Sequence, residues 1–164
     1  LTPVIIEGLS LVSWPVGKVH VDVVLGRDAP CYEQMVSYIP KKNNVTMTLI
    51  SNSSNMADLM LDADLSIWAG GATSWERCCL GLPSLVVTVA ENQSLIIDGL
   101  VKAGASVSLG EARNLTAEKI KSVVQNVISD EDLLFNMSKR CFEIVDGNGV
   151  QLVMNYMLEN YCDY

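Results

Sequence analysis

The residues best suited to chemistry lie between positions 69 and 93, AGGATSWERCCLGLPSLVVTVAENQ. A glycine pair, Gly70 and Gly71, precedes Ala72 and the hydroxyl residues Thr73 and Ser74; Glu76 follows, and a Gly-Leu-Pro break stands at 81–83. The apolar stretch 65–68 predicts a buried strand, the glycines a tight exit, and Thr73 or Ser74 the start of a helix whose free N–H groups point back at the strand end. Such an end attracts phosphate, because unpaired amides and the helix dipole both favour negative charge. Nothing here matches G-x-G-x-x-G or G-x-x-x-x-G-K-[ST], so dinucleotide and ATP sites get no support. A glycine turn between a strand and a helix also needs no ligand, and spacing alone does not separate the two uses. Thr73 and Ser74 likewise either donate hydroxyl hydrogen bonds to a ligand or cap the helix.

Glu76 falls about one turn into that helix, where the dipole stabilises a carboxylate. Its two oxygens can accept from both hydroxyls of a ribose, or simply face water. Trp68 and Trp75 read as core rather than stacking surfaces. Arg77, next to Glu76, points to another helix face and reads as a surface residue or structural ion-pair partner. Asn92 and Gln93 follow the next strand and open the next helix, which places them at the same sheet edge as the glycine loop. Neutral amides there suit the hydroxyl or acetamido groups of a sugar, or serve as helix caps. The loop 51–56, with Asn55 and Met56, occupies the preceding strand end, where backbone groups can pair with a flat base.

The elements that must position these residues follow from periodicity and punctuation. A helix over 2–12, with Thr2 as cap and Pro3 at its first position, opens the sequence. Gly17 and Lys18 lead into a strand over 19–25, and a short helix over 32–39 ends at Pro40. Strands over 45–50, 65–68, 84–89 and 105–109 alternate with helices over 56–61, 74–80 and 93–103, the first of these capped by Ser54 or Asn55. Short apolar strands alternating with helices specify an α/β fold, a single Rossmann-like domain whose parallel sheet is flanked by helices. Beyond Asn114 the pattern is wholly helical: Thr116 caps 117–128, Ser129 or Asp130 caps a helix to about 145, and Gly147-Asn148-Gly149 turns into a last helix to 161. Ligand in such a sheet binds outside the strand carboxyl ends, where the glycine loop lies.

Composition narrows the partners. A net charge of −8, with scattered basic residues, argues against nucleic acid or anionic lipid. Apolar runs such as 85–87 and 95–97 fall far short of the ~20 residues that span a bilayer, so no membrane insertion is expected. Five cysteines without C-x-x-C spacing fit reduced thiols in a cytoplasm. The single histidine, His20, lies in an alternating strand pattern far from any cysteine pair, so neither a metal site nor a cofactor is expected. Asn44, Asn52, Asn92, Asn114 and Asn136 each begin an Asn-x-Ser/Thr triplet, which would be glycosylation acceptors in a secreted protein; chance in an Asn- and Ser-rich sequence is the simpler account. With Leu1 in place of an initiator methionine, the sequence reads as cut from something longer.

Residues 55–93 and 23–34, NMADLMLDADLSIWAGGATSWERCCLGLPSLVVTVAENQ and VVLGRDAPCYEQ, resemble the C-terminal half of the UDP-sugar hydrolases of pseudaminic acid biosynthesis. Related proteins of that family act in spore-coat polysaccharide biosynthesis, and the fold is similar to that of two-Rossmann glycosyltransferases. The resemblance implies that Asn55 and Met56 border a uracil, that Gly70, Gly71, Ala72, Thr73 and Ser74 hold the diphosphate, that Glu76 binds ribose, and that Asn92 and Gln93 face the sugar. Trp68 stands where the family has a smaller residue and Ala72 where serine is frequent, so contact at Ala72 would be through backbone. The resemblance further implies hydrolysis of a UDP-2,4-diacetamido-2,4,6-trideoxy sugar with inversion. Its water-activating G-x-G-H-x-x-R segment belongs to an N-terminal half not found here; the strand and glycine-rich turn that begin the C-terminal half are missing too. No catalytic residue is therefore expected in this chain, whose partners are UDP or a UDP-sugar and that N-terminal half. The donor half of a glycosyltransferase and a non-catalytic nucleotide-binding module are the alternatives.

Overall fold

In the computed structural model, which describes residues 1–14, 19–37 and 45–161, every strand pairing is parallel. β1 (Val19–Leu25) and β2 (Val45–Ser51) form one ladder, with Val19 opposite Val45 and Leu25 opposite Ser51. β3 (Ser66–Ala69), β4 (Ser84–Thr88) and β5 (Ser106–Glu111) form a second, with β4 central. Where the sequence predicts one sheet, the structure has two ladders, and no pairing among the described residues joins β1 to β3.

Helix placement explains the division. α1 (Thr2–Leu11) and α2 (Tyr32–Ser37) share a face with β1, where Ile6, Val23 and Met35 are buried together. α3 (Met56–Leu61) connects the ladders, and α4 (Thr73–Cys79) and α5 (Ser94–Lys102) then lie on the opposite face of the second ladder, where Cys78 packs with Leu100. Parallel crossovers are right-handed, so helices on opposite faces make β1 to β2 and β3 to β5 advance in opposite directions. The two ladders are wound in opposite senses, with the point of reversal between β1 and β3.

α1 bridges that line: Ile6 joins the β1 cluster, while Leu9 and Val12 join Leu85, Val87, Leu109, Ile120, Val124 and Val127 in the main core. Burying an aliphatic side chain of this kind contributes about 1.5–3 kcal/mol, so this contiguous cluster dominates the packing energy. α6 (Ala117–Ile128) and α7 (Glu131–Ile144) start at the expected caps. Thr116 Oγ1 accepts from Lys119 N–H at 3.2 Å, and Asp130 Oδ1 from Leu133 N–H at 2.9 Å. The first helix begins one position earlier than expected, with Leu1 rather than Thr2 at its cap. A 3₁₀ turn at Glu91–Gln93 precedes α5, which starts at Ser94 and not at Gln93. Of the final helix, α8 (Gly149–Tyr161), every residue from 149 to 160 is exposed. Gly17, Lys18, Asn44, Cys162 and the expected helix end at 38–40 lie outside the described residues.

Candidate functional site

At the carboxyl ends of the strands, beside the line of reversal, lies a cleft of about 280 Å³. Leu25 and Gly26 at the end of β1, Asn52 and Ser53 after β2, Met56 and Met60 of α3, Trp68 of β3, and Thr73 and Glu76 of α4 line it. Loops on either side of a winding reversal diverge, which is why doubly wound sheets bind ligands there. Met56, Thr73 and Glu76, chosen from sequence, meet in this cleft. Asn55 stands exposed at the cap position of α3, yet its side chain makes no capping bond; its Oδ1 accepts from Ser54 Oγ instead. Asn52 was missed by motif reasoning. It adopts a left-handed backbone, φ 50°, which asparagine tolerates better than most residues. Its amide donates to Leu25 O at 3.3 Å and its Oδ1 accepts from Arg27 N–H at 3.4 Å, so it ties the two strand ends together. The signal for it was position alone, at the end of a strand beside the reversal.

The glycine loop opens α4 as expected, one residue earlier than the spacing predicts. Gly70 N–H donates to Val87 O, Ser74 N–H to Gly71 O and Trp75 N–H to Ala72 O, all between 3.0 and 3.1 Å. Between these, the amides of Gly71, Ala72 and Thr73 have no acceptor among the described residues. Three successive unpaired donors suit an anion. Neither Thr73 nor Ser74 caps the helix: Ala72 holds the cap position without a side-chain bond. Ser74 is buried, its hydroxyl turned to Arg77 and its amide used in the turn, so Thr73 presents the loop's hydroxyl to the cleft. Glu76 is exposed, and its carboxylate has no hydrogen-bond or ion-pair partner among the described residues.

Two expectations for this helix are corrected. Arg77 is not a surface residue and has no carboxylate partner among the described residues; it is 1% exposed and packs against the sheet. Its Nε donates to Ser84 Oγ at 3.1 Å, Nη1 to Thr73 Oγ1 at 3.2 Å and Nη2 to Ser74 Oγ at 3.0 Å, and its guanidinium lies 4.9 Å from the centre of the Trp68 ring. Burial lowers its pKa to about 10, which leaves it charged at neutral pH. Trp75, expected in the core, is 42% exposed, because Ser74, Arg77 and Cys78 take the face that meets the sheet. It borders a separate apolar groove with Leu95, Leu100 and Ile144.

Asn92 and Gln93 lie outside the cleft lining, at the next strand end. Asn92 is exposed. Gln93 Oε1 accepts from Val89 N–H at 3.2 Å, which fixes the amide orientation and leaves its NH₂ group to donate. Gly70 sits against α5: a Cβ there would fall 2.5 Å from Ile97 Cδ1 and 3.4 Å from Gln93 Cβ. Gly70→Ala is therefore expected to cost about 1–3 kcal/mol through overpacking, read as a lowered thermal unfolding midpoint. His20 pairs within the first ladder, with Thr46, Thr48 and Asp22, as a strand residue would. Among the described residues no cluster of potential metal ligands forms, and no helix is long and apolar enough to cross a membrane.

The same architecture is found in the crystal structure of MurG from Acinetobacter baumannii, with a TM-score of 0.76 at 18% identity over 93% of this chain and 44% of that one. The spinosyn rhamnosyltransferase SpnG gives 0.62 at 17% over 93% and 40%. The fold is that of a Rossmann-type domain, and its family membership makes it a nucleotide-sugar-binding domain of glycosyltransferase-like proteins. The glycosyltransferase family 28 C-terminal domain matches residues 14–151, and the chain belongs to that family. It is 30% identical over 138 residues to the spore coat polysaccharide biosynthesis protein SpsG of Bacillus subtilis (strain 168), covering 84% of this chain and 40% of SpsG. It is 28% identical over 112 residues to the UDP-N-acetylglucosamine–N-acetylmuramyl-(pentapeptide) pyrophosphoryl-undecaprenol N-acetylglucosamine transferase of Clostridioides difficile (strain 630), covering 65% and 27%. The chain thus spans less than half the length of either relative.

Proposed function

We propose that residues 1–164 are the UDP-binding half of a cytoplasmic hydrolase that releases UDP from a UDP-2,4-diacetamido-2,4,6-trideoxy sugar in pseudaminic acid or surface polysaccharide biosynthesis. The observation that carries this is the meeting of Met56, Thr73 and Glu76 in one cleft, next to the unpaired amides of Gly71, Ala72 and Thr73. In this reading Asn55 and Met56 border the base, Glu76 accepts from the ribose hydroxyls, and the loop from Gly70 to Ser74 holds the diphosphate, with Ala72 contributing only its amide. Asn92 and the NH₂ group of Gln93 face the sugar. The similarity to SpsG, whose name assigns it to spore coat polysaccharide biosynthesis, supports the pathway class.

Hydrolysis of such a substrate has two demands. Water attacking the anomeric carbon must lose a proton to a base, and negative charge growing on the departing UDP must meet fixed donors. The loop amides and the Thr73 hydroxyl serve the second demand. The base comes from a separate half of the protein, and a strand ahead of α1 completes the sheet between β1 and β3.

A second reading, the donor half of a glycosyltransferase, is favoured by the similarity to the Clostridioides difficile transferase. Incubating the full-length protein with the UDP-diacetamido sugar separates them. UDP release without any acceptor is the expected result, and strict dependence on an added acceptor would transfer the assignment to the second reading.

A further inference from the structure

Arg77 stands apart from the other cations among the described residues. It is fully buried, it forms no ion pair among the described residues although the nearby Glu76 carboxylate favours its charged form, and its three hydrogen bonds all end on hydroxyls. Burying a guanidinium without a direct ion-pair contact is unfavourable, since the low-dielectric interior replaces water poorly. The fold itself gives little reason to keep one. Ser84 Oγ already donates to Leu82 O at 3.2 Å and lies 2.8 Å from Ser66 Oγ, so the link to the sheet has other partners.

What Arg77 alone does is to fix the orientation of the loop hydroxyls. A hydroxyl has one proton and two lone pairs, and a lone pair that accepts from a guanidinium N–H sets where the proton is aimed. Nη1 approaches Thr73 Oγ1 from the buried side, at 3.2 Å, while Thr73 also lines the cleft. That bond occupies a lone pair of Oγ1 and leaves the proton for an acceptor in the cleft. Nη2 holds Ser74 in the same way, and the Trp68 ring, over which the guanidinium lies, limits its movement.

We propose that Arg77 is a positioning residue for the phosphates of the nucleotide, acting through Thr73: it holds the Thr73 hydroxyl as a pre-oriented donor to the diphosphate. The inference rests on the assignment of the glycine loop to the diphosphate. A donor fixed before the ligand arrives needs no reorganisation on binding, which is where preorganised sites gain their strength.

The test compares UDP with uridine, titrated calorimetrically into the full-length protein and its variants. Arg77→Lys keeps the charge but loses the planar fork, and is expected to weaken UDP binding about tenfold while changing uridine affinity less than about twofold. Thr73→Val is expected to weaken UDP to a similar degree, and Arg77→Lys in the Thr73→Val background to add little. Additive losses, equal losses for UDP and uridine, or unchanged UDP affinity in Arg77→Lys would each overturn the proposal. Thermal midpoints accompany every variant; if Arg77→Lys does not fold, Thr73→Val and Thr73→Ser decide, with UDP affinity lost in the first and kept in the second. An unaltered protein that binds neither UDP nor uridine would remove the nucleotide assignment itself, whereas UDP binding insensitive to both positions removes only the role of Arg77.

Discussion

Glu76→Ala is expected to weaken UDP binding by the full-length protein about a hundredfold and to leave its thermal stability essentially unchanged. The two parts of this expectation have separate causes. Glu76 is exposed and makes no hydrogen bond or ion pair among the described residues, so its removal loses only the support its charge gives the buried Arg77 guanidinium. Its carboxylate nevertheless lines the cleft one helical turn from the amide row, with two oxygens free to accept from adjacent ribose hydroxyls. Hydrogen bonds to a charged group contribute about 1.5–3 kcal/mol each, so losing two reaches a hundredfold without any change in fold. UDP lacking the 2′-hydroxyl provides the internal control. The unaltered protein should discriminate against it, and Glu76→Ala should bind both nucleotides with the same weak affinity. Retained discrimination in the variant would move the ribose elsewhere.

How far the sequence alone carries differs sharply between the backbone and the side chains. Strands β1 and β4, helices α3 and α6, and the caps at Thr116 and Asp130 follow from period and punctuation because each depends on neighbours within a few residues. The cleft residues Met56, Thr73 and Glu76 were legible because a strand end followed by a glycine loop and a helix defines a direction. Arg77 was not. Ser74, Arg77 and Cys78 have i, i+3, i+4 spacing, so once Ser74 and Cys78 face the sheet Arg77 must as well. Charge outweighed that geometry, since an arginine is rarely buried without an acid. Trp75 failed for the mirror-image reason, its apolar character outweighing a position on the outer face. Asn52 carries no motif that points to a nucleotide, and its place depends on a reversal of winding that only the distribution of helices over two faces reveals.

That reversal leads to the other large expected effect. β1 is bonded to β2 alone and β3 to β4 alone, so each has one edge without a strand partner among the described residues. α1 packs across both ladders, and a right-handed crossover into α1 and on to β1 starts from a strand beside β1, on the side away from β2. A parallel strand seated there would satisfy both unpaired edges and form one wall of the cleft now bordered by Leu25 and Trp68. In residues 1–164 alone, the edge amides of β1 and β3 should exchange with solvent readily. In the full-length protein they should be protected about a hundredfold or more, because opening them then requires breaking a central strand rather than fraying an edge. UDP release should follow the same division, absent from residues 1–164 and present in the full-length protein, since in the proposed function the base comes from the other half of the protein. Equal exchange at β1 and β3 in both forms would mean that the slot between the ladders holds no strand, and UDP release by residues 1–164 alone would place the base within residues 1–164.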